Sequence, residues 1–238
     1  SARYSQWLGQ SWTSEHSTGN TGGKPYWIVV RACPTRDEVA AGVLDAGKAL
    51  NLMTWDGSSW GSPTEACSNT GATLDRGFDV AYTRQSGTML TAYWKDAAKT
   101  IGYRTASGSG VSGEQTRSLP SLGRVRFISL TPVPGGDQII GLFLNDSGGL
   151  YASIFDGTSF GPVTTLDTNA KYDGGESMAM VFQSESGTGL LVYAEKDQSS
   201  PRYRTFSGGA WSSEASAPSA PGSRVAGRPG RTLIHAGA

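Results

Sequence analysis

Residues 57–61 read Gly-Ser-Ser-Trp-Gly and fit the G-x-S-x-G pattern, in which the serine serves as the nucleophile of a hydrolase. That chemistry needs a sharp turn from a strand into a helix, which exposes the serine hydroxyl. Here the pair Asp56-Gly57 is typical of a hairpin turn, and strand-like residues follow Gly61. The pattern also recurs at residues 157–161. We therefore interpret this stretch as a turn between strands.

Acidic residues at the starts of candidate strands are a second group of candidate catalytic residues. A glycoside hydrolase needs two carboxyl groups at a fixed separation, one as acid and one as base or nucleophile. Asp75, Asp79 and Glu176 are the candidates. The corresponding positions of other units carry arginine instead, at Arg124, Arg126 and Arg224. Because no two of the acidic residues form a convincing acid and base pair, the sequence predicts no catalytic residue and no enzyme.

Two arginines lie at equivalent places in Tyr103-Arg104-Thr105 and Tyr203-Arg204-Thr205. Neighbouring side chains of a strand point to opposite faces, so each arginine faces away from its tyrosine and threonine. Such an arginine either makes a structural ion pair between sheets or binds a hydroxylated or anionic ligand. The repeated aromatic residues have two interpretations as well, packing between sheets or stacking on a sugar. They include Trp12, Trp60 and Trp211.

Aspartates recur in the loops between the second and third strands of each unit, at Asp45, Asp96, Asp146 and Asp197. Turn chemistry explains aspartate there, and the alternative is a calcium site built from loop carboxylates. No D-x-D-x-D-G loop is present, and Cys33, Cys67 and the two histidines match no zinc pattern. We predict no metal site and no cofactor, with calcium as the alternative. A Cys33–Cys67 disulfide stays open at this point.

The charge balance limits the partners. The chain has 20 basic and 20 acidic residues and a net charge of zero, whereas nucleic acids and anionic membranes favour a basic face. No apolar run is long enough to cross a bilayer. The sequence therefore predicts no nucleic-acid partner and no membrane insertion. Without a signal peptide or an initiator methionine, it is expected to be a processed chain or a piece of a longer one.

An internal repeat organises these residues. Residues 55–61 recur as 155–161, and the two Tyr-Arg-Thr triplets are also 100 residues apart. A period of about 50 residues lies within this repeat. It is marked by a hydrophobic-x-Gly-x-x-hydrophobic pattern that starts at Trp7, Trp55, Ala106, Phe155 and Phe206. Each unit reads as four antiparallel strands, which is typical of the blade of a β-propeller.

One segment also has a helical interpretation. Residues 35–38 resemble a capping box, and residues 39–53 could continue as a helix. The equivalent segment 100 residues later is rich in aromatic and branched residues and contains a glycine pair. Because two copies of one unit should share a fold, we predict strands in both.

The chain ends complete the predicted fold. The first residues resemble the outer half of a blade, and the last residues resemble an inner hairpin. We therefore predict an all-β, single-domain, five-bladed β-propeller of four-stranded antiparallel blades, closed by pairing of the N- and C-terminal halves of one blade. The predicted blades cover residues 27–64, 78–115, 124–163, 177–214, and 224–238 together with 1–15. Pairing of the halves with neighbouring chains is the alternative.

The stretches "YRTFSGGAWSSE", "LLVYAEKD" and "TWDGSSWG" resemble repeat β-propeller domains of secreted or surface proteins of environmental bacteria. This resemblance implies an extracellular propeller attached to a longer surface protein. A weaker resemblance is to propeller lectins of the fucose-binding type, whose sites between blades use an arginine, an acidic residue and an aromatic residue. It implies a ligand site that contains Arg104 and Arg204 with Trp94 or Tyr193, and the acidic member is left unassigned.

The predicted function is a non-catalytic extracellular binding or adhesion module that recognises glycans at sites between blades or on the top face. The predicted ligand-binding residues are Arg104, Arg204, Trp94, Tyr193, Asp96 and Asp197. The partners are glycans or other cell-surface components. The main alternative is a structural or protein-binding display domain of a bacterial surface filament or large adhesin, and a glycoside hydrolase is the third possibility.

Overall fold

The computed structural model describes residues 1–107, 110–121, 123–172 and 175–218. All regular secondary structure in these residues is β, and no helix there could cross a membrane. The strands are β1 (Arg3–Tyr4), β2 (His16–Ser17), β3 (Pro25–Ala32), β4 (Val39–Asp45), β5 (Leu50–Trp55), β6 (Thr64–Cys67), β7 (Phe78–Tyr82), β8 (Met89–Lys95), β9 (Thr100–Ser107), β10 (Gly110–Val111), β11 (Gln115–Arg117), β12 (Val125–Pro132), β13 (Ile139–Asn145), β14 (Leu150–Phe155), β15 (Phe160–Asp167), β16 (Met178–Phe182), β17 (Gly189–Tyr193), β18 (Arg202–Ser207), β19 (Ala210–Trp211) and β20 (Ala215–Ser216).

Eighteen of these strands form four successive antiparallel sheets. We call them blade 1 (β3–β6), blade 2 (β7–β11), blade 3 (β12–β15) and blade 4 (β16–β20). Within each blade, strands that are consecutive in the chain are neighbours in the sheet. In blades 2 and 4 the outermost strand is divided into two segments, both paired with the third strand. The prediction of an all-β chain built from four-stranded antiparallel units is confirmed.

The first strands of the four blades contact one another in chain order. The first strand of blade 2, β7, contacts the first strands of blades 1 and 3, and β12 in turn contacts β16 of blade 4. The three largest clusters of buried apolar side chains each span two adjacent blades. Packing of one blade on the next therefore buries most of the core, and each fully buried large side chain contributes about 1.5–3 kcal/mol.

The remaining two strands form the N-terminal hairpin, in which β1 pairs with β2 and Trp7 bridges to Trp12. The prediction that residues 224–238 complete this hairpin into a fifth blade lies outside the described residues. The number of blades and the closure of the ring therefore stay predictions.

The segment with the helical interpretation forms β4 and β5, as predicted from its repeat partner. Burial explains why the local helical signal is overridden, since six of the seven residues of β4 are buried. Gly42 of β4 faces blade 2 so closely that a Cβ atom there would lie 2.9 Å from side-chain atoms of both Phe78 and Val80. Cys33 and Cys67, which border this blade, are both free thiols.

Candidate ligand sites at the blade junctions

Tyrosines of the third strand fill the junction with the next blade. The ring of Tyr103 in β9 lies edge-on to Phe155 and Phe160 of blade 3, with centroid distances of 6.4 and 5.0 Å. Tyr4 of the N-terminal hairpin packs in the same way on Trp55 and Trp60 of blade 1, at 5.4 and 6.1 Å. We call these two contacts tyrosine junctions. Edge-to-face pairs of this kind add about 0.5–1.5 kcal/mol beyond the buried area.

The other two junctions are joined by the predicted arginines, and we call them arginine junctions. Between blades 1 and 2, Arg104 donates from Nε to the carbonyl of Ala66 at 3.2 Å and from Nη1 to the carbonyl of Ser112 at 3.0 Å. Between blades 3 and 4, Arg204 donates to the carbonyls of Leu166 at 2.7 Å and Ser212 at 2.8 Å. Each guanidinium thus links its own blade to the preceding one through backbone oxygens.

Glutamates that the sequence analysis did not single out lie beside these arginines. Glu114 accepts a hydrogen bond from the Tyr93 hydroxyl at 2.8 Å, and Glu214 accepts one from Tyr193. Burial, together with the hydrogen bond to its glutamate, raises the pKa of each tyrosine. The sequence does contain a signal for these glutamates. Glu114, Glu214 and Glu15 each follow the outer hairpin of their repeat unit at the same spacing.

The pKa of Glu114 makes stability depend on pH. Burial opposes its ionisation, but hydrogen bonds from Lys95 and Tyr93 outweigh burial, so its pKa lies below the ordinary value. Such a carboxylate stabilises the fold above its unfolded pKa, and this stability is lost as pH falls through the folded pKa. We expect urea-unfolding free energies to decline below about pH 4.5 and Glu114→Gln to flatten part of that decline. An identical decline in both proteins would contradict this assignment.

A pocket of about 180 Å³ opens at the arginine junction between blades 3 and 4. Buried Ala152 and Ser153 form its inner part, and exposed residues of both blades form its rim. Trp211 supplies the aromatic wall, with its ring centroid 5.0 Å from that of Phe206. The lining residues are Ala152, Ser153, Ile154, Gly161, Pro162, Thr164, Gly209 and Trp211.

One substitution within the repeat accounts for this pocket. Tyr103 lies three residues before the hairpin residue Ala106 of blade 2, and Ala152 lies three residues before the equivalent residue Phe155 of blade 3. Ala152 therefore occupies the position of Tyr103 in the repeat. Tyr103 reaches across its junction and covers Phe160 of the next blade. Ala152 has only a methyl group to place in front of Trp211, the residue equivalent to Phe160. The pocket between blades 3 and 4 therefore lies at the position that the Tyr103 ring fills between blades 2 and 3.

The other predicted ligand residues lie apart from the pocket lining. Trp94 is fully buried, and its Nε1 donates to Asp96 at 3.2 Å. Asp96 also pairs with Arg124 of blade 3 at 3.0 Å. Tyr193 is buried against Glu214, and Asp197 is an exposed turn residue with a φ of 59°. The structure thus groups Arg204 with Tyr193 and Trp94 with Asp96, and it places Arg104 and Asp197 apart from both pairs. The role of these residues in binding stays a prediction.

Asp75 forms an ion-pair network near the starts of the first strands. Asp75 pairs with Arg126 of blade 3 at 2.5 Å and accepts a hydrogen bond from the Tyr172 hydroxyl. Arg126 occupies a β-bulge of β12, which directs its side chain away from the regular strand alternation, and it also pairs with Asp146 at 3.2 Å. Burial and the hydrogen bond to Asp75 raise the pKa of Tyr172 to about 12.

Asp79 and Glu176, the other two acidic candidates, are also paired with arginine. Asp79 is buried and lies 3.3 Å from Arg31 of blade 1 and 3.4 Å from Arg76. It also accepts the backbone N–H of Leu130 in blade 3 at 2.9 Å. Arg76 extends to Glu176, the candidate that precedes the first strand of blade 4. Arg31 thus joins the first strands of blades 1 and 2, and Arg76 links the start of blade 2 to that of blade 4.

The G-x-S-x-G stretch is a turn, as predicted. One carboxylate oxygen of Asp56 accepts the backbone N–H groups of Ser58 and Ser59, both at 2.8 Å, and Gly57 adopts a φ of 96°. The hydrogen bonds from Ser59 and Ser58 lower the pKa of Asp56 to about 2. Among the described residues, no three His, Cys, Asp or Glu side chains are grouped so that they could hold a metal ion.

Consecutive four-stranded blades whose first strands adjoin in chain order define the β-propeller class of fold. The chain matches no protein-family model and no sequence among the curated proteins. Its structure is similar to the BP39L lectin from Burkholderia pseudomallei, with a TM-score of 0.64 and 13% identity over 89% of this chain and 61% of that one. The chain therefore spans about three fifths of that lectin's length.

Two further solved structures share the fold. The SapL1 lectin in complex with alpha methyl fucoside has a TM-score of 0.54 and 16% identity, over 89% of this chain and 72% of that one. The NanB sialidase from Streptococcus pneumoniae has a TM-score of 0.52 and 9% identity, over 84% of this chain and 53% of that one. The neighbours thus include both lectins and a glycosidase, and at such identities they indicate a common fold.

Proposed function

We propose that the chain is a non-catalytic, extracellular β-propeller module that binds carbohydrate in the pocket between blades 3 and 4. The observation that carries this proposal is the opening beside Trp211, at a place that Tyr103 fills in the equivalent junction. An aromatic wall with a few fixed polar groups is typical of small-ligand sites. The apolar C–H face of a sugar suits the Trp211 ring, and its hydroxyl groups suit Thr164 and the backbone of Gly209.

The size of the pocket favours a small ligand portion. Pockets for drug-sized ligands measure roughly 300–1,000 Å³, so about 180 Å³ suits one sugar ring of a larger glycan. The structural neighbours BP39L and SapL1 are lectins, and the latter was solved with a fucoside, which supports a carbohydrate as the ligand class. Arg204 lies at the same junction, and its Nε is buried without a partner among the described residues.

The pairing of the acidic candidates supports a role without catalysis. Asp75, Asp79 and Glu176 each form an ion pair with an arginine. In the proposed module these carboxylates hold blades together.

The proposed module is one part of a larger extracellular assembly. The module has five blades, acts outside the cell, and belongs to a larger surface protein or filament that contacts glycans or other cell-surface components. Zero net charge supports a partner other than nucleic acid or an anionic membrane. Binding is to be measured with calcium and with chelator, because the loop aspartates are candidate ligands for calcium.

Filling the pocket is expected to abolish binding. On a broad glycan array, wild-type protein should show saturable binding to a related set of sugars, with calcium and with chelator. Ala152→Tyr places a ring where Tyr103 has one, and Trp211→Ala removes the aromatic wall. We expect each variant to bind the recognised glycan at least about tenfold more weakly, which is about 1.4 kcal/mol.

The matched control is Ala98→Tyr, which adds the same side chain in the exposed turn between β8 and β9 and should bind as wild type does. Unchanged binding by Ala152→Tyr would contradict the pocket assignment. A blank array for the wild-type protein would contradict carbohydrate binding for the glycans tested. Loss of binding with chelator in the wild-type protein would redirect the assignment to the loop aspartates.

A further inference from the structure

Arg204 connects the two walls of the pocket between blades 3 and 4. Its Nη2 donates to the Leu166 carbonyl of β15 at 2.7 Å, and the same strand supplies the pocket residue Thr164. Its Nη1 donates to the Ser212 carbonyl at 2.8 Å, and Ser212 directly follows Trp211, the aromatic wall. Because a guanidinium group is planar and holds its donors in a fixed geometry, one side chain sets the separation of the two wall backbones.

Ser212 passes this constraint on to the aromatic wall. Its backbone N–H donates to the Thr205 carbonyl at 2.8 Å, and its Oγ accepts the Thr205 backbone N–H at 3.0 Å. Ser212 is thus bonded twice to β18 and once to the guanidinium of Arg204. Since Trp211 directly precedes Ser212, the place of its ring depends on these bonds.

The arginine junction between blades 1 and 2 provides an internal comparison. Arg104 donates from Nη1 to the carbonyl of Ser112, as Arg204 does to the equivalent serine, but it holds blade 1 through Nε, which donates to the carbonyl of Ala66. Ala66 and Leu166 are equivalent residues, 100 positions apart. Nε is the nitrogen nearest the aliphatic chain and Nη2 is a terminal one, so Arg204 holds blade 3 at the far end of its side chain.

This arrangement leaves one donor of Arg204 unsatisfied. Its Nε is buried and has no hydrogen-bond partner among the described residues, whereas Nε of Arg104 is bonded. Unsatisfied polar groups are uncommon in protein interiors, and such departures are expected at functional sites. The unpaired Nε thus accompanies the junction that contains the pocket.

We propose that Arg204 is a positioning residue of the carbohydrate pocket. It holds blade 3 and Trp211 at the separation that admits a sugar ring. It does not contact the sugar, since the residues that line the pocket do not include it. This inference rests on the proposed function, and it assigns Arg204 a role other than the ligand contact expected from the sequence.

Arg204→Lys tests the spacing. Lysine keeps the positive charge, but its single ammonium group lacks the fixed fork that bonds two carbonyls at once. We expect the dissociation constant for the recognised glycan to rise at least about tenfold. The matched control is Arg36→Lys, because Arg36 also donates to a carbonyl of a neighbouring blade, that of Gly87 at 2.8 Å. The control should bind as wild type does, and an equal loss in both variants would contradict the assignment.

A series of deoxy sugars separates a positioning residue from a ligand contact. If Arg204 donated to a hydroxyl group of the ligand, Arg204→Lys would have no effect on the analogue that lacks this hydroxyl. A positioning residue weakens the binding of every analogue by the same factor. Loss of the effect for one analogue, or unchanged binding of all of them, would overturn the proposal.

The place of Trp211 gives a readout that needs no ligand. In protein labelled with fluorotryptophan, the fluorine NMR resonance of Trp211 is assigned with Trp211→Phe. Without glycan, this resonance should shift in Arg204→Lys and stay in place in Arg36→Lys. An unchanged resonance in Arg204→Lys would show that this arginine does not position the wall. A wild-type protein that binds no glycan contradicts the proposed function instead, and the resonance then still decides whether Arg204 positions Trp211.

Discussion

Replacing Asp79 by alanine is expected to lower the free energy of unfolding by about 3–5 kcal/mol, because the change breaks a buried ion-pair network. The Asp79 side chain accepts the backbone N–H groups of Val80 and Leu130, both at 2.9 Å. It also lies within ion-pair distance of Arg31 and Arg76. Without the carboxylate, the Leu130 N–H loses its acceptor and the largely buried Arg76 guanidinium loses one of its two carboxylate partners. Urea unfolding at neutral pH measures the loss.

Two variants separate charge from position in this experiment. Asp79→Asn keeps one hydrogen-bond acceptor but removes the charge, and should lose less than the alanine variant. Asp146→Ala removes a more exposed partner of Arg126 and should cost about 1 kcal/mol or less. A loss below about 1 kcal/mol for Asp79→Ala would show that this network does not hold the blades together.

Phe160→Ala is the second change with a large expected effect, again about 3–5 kcal/mol in urea unfolding. The ring is fully buried, with centroids 5.0 Å from Tyr103, 5.6 Å from Phe155 and 5.8 Å from Phe143. Truncation leaves a cavity between two blades that cannot collapse without moving one of them. Unfolding by heat should show the same order of stability.

The equivalent residue of the next blade is the matched comparison. Trp211 is partly exposed and already borders a pocket, so Trp211→Ala removes fewer contacts and should cost about 1–2 kcal/mol. Equal losses at Phe160 and Trp211 would contradict the view that Ala152 leaves this second junction underpacked.

The strands of the four described blades were predictable because the repeat corrects local signals. Residues 39–53 have the capping and spacing of a helix, and only comparison with residues 139–153 favours strands. Burial of β4 between β3, β5 and blade 2 gives the physical reason for that outcome. The predicted ring closure uses residues 224–238, which lie outside the described residues, so it stays a prediction.

The candidate pocket was not predictable from spacing, because it depends on strand register. A constant offset of 50 residues would pair Tyr103 with Ser153. The connection between β13 and β14 is one residue shorter than that between β8 and β9, and this places Ala152 at the junction instead. A pocket created by a missing side chain also leaves no motif, since its signal is the absence of a bulky residue.

The contacts of the two junction arginines could be predicted only in part. Sequence alternation correctly separates the faces of Tyr103 and Arg104, which contact the following and preceding blades respectively. The alternation pattern gives no information on which atoms the guanidinium group contacts. Backbone carbonyls of Ala66 and Leu166 carry no sequence signature, because every residue has one.

The alternation of tyrosine and arginine junctions determines how such a chain could change in length. Loss of blade 2 would bring Leu52, the residue equivalent to Tyr103, against Phe155 and Phe160, and would remove the Arg104 link. Loss of blades 2 and 3 together would instead bring blade 1 against blade 4, whose Arg204 can replace Arg104. The two-blade pair is therefore the smallest unit that evolution could add or delete while every contact keeps a partner of its own kind, which explains why the 100-residue repeat is clearer than the 50-residue one.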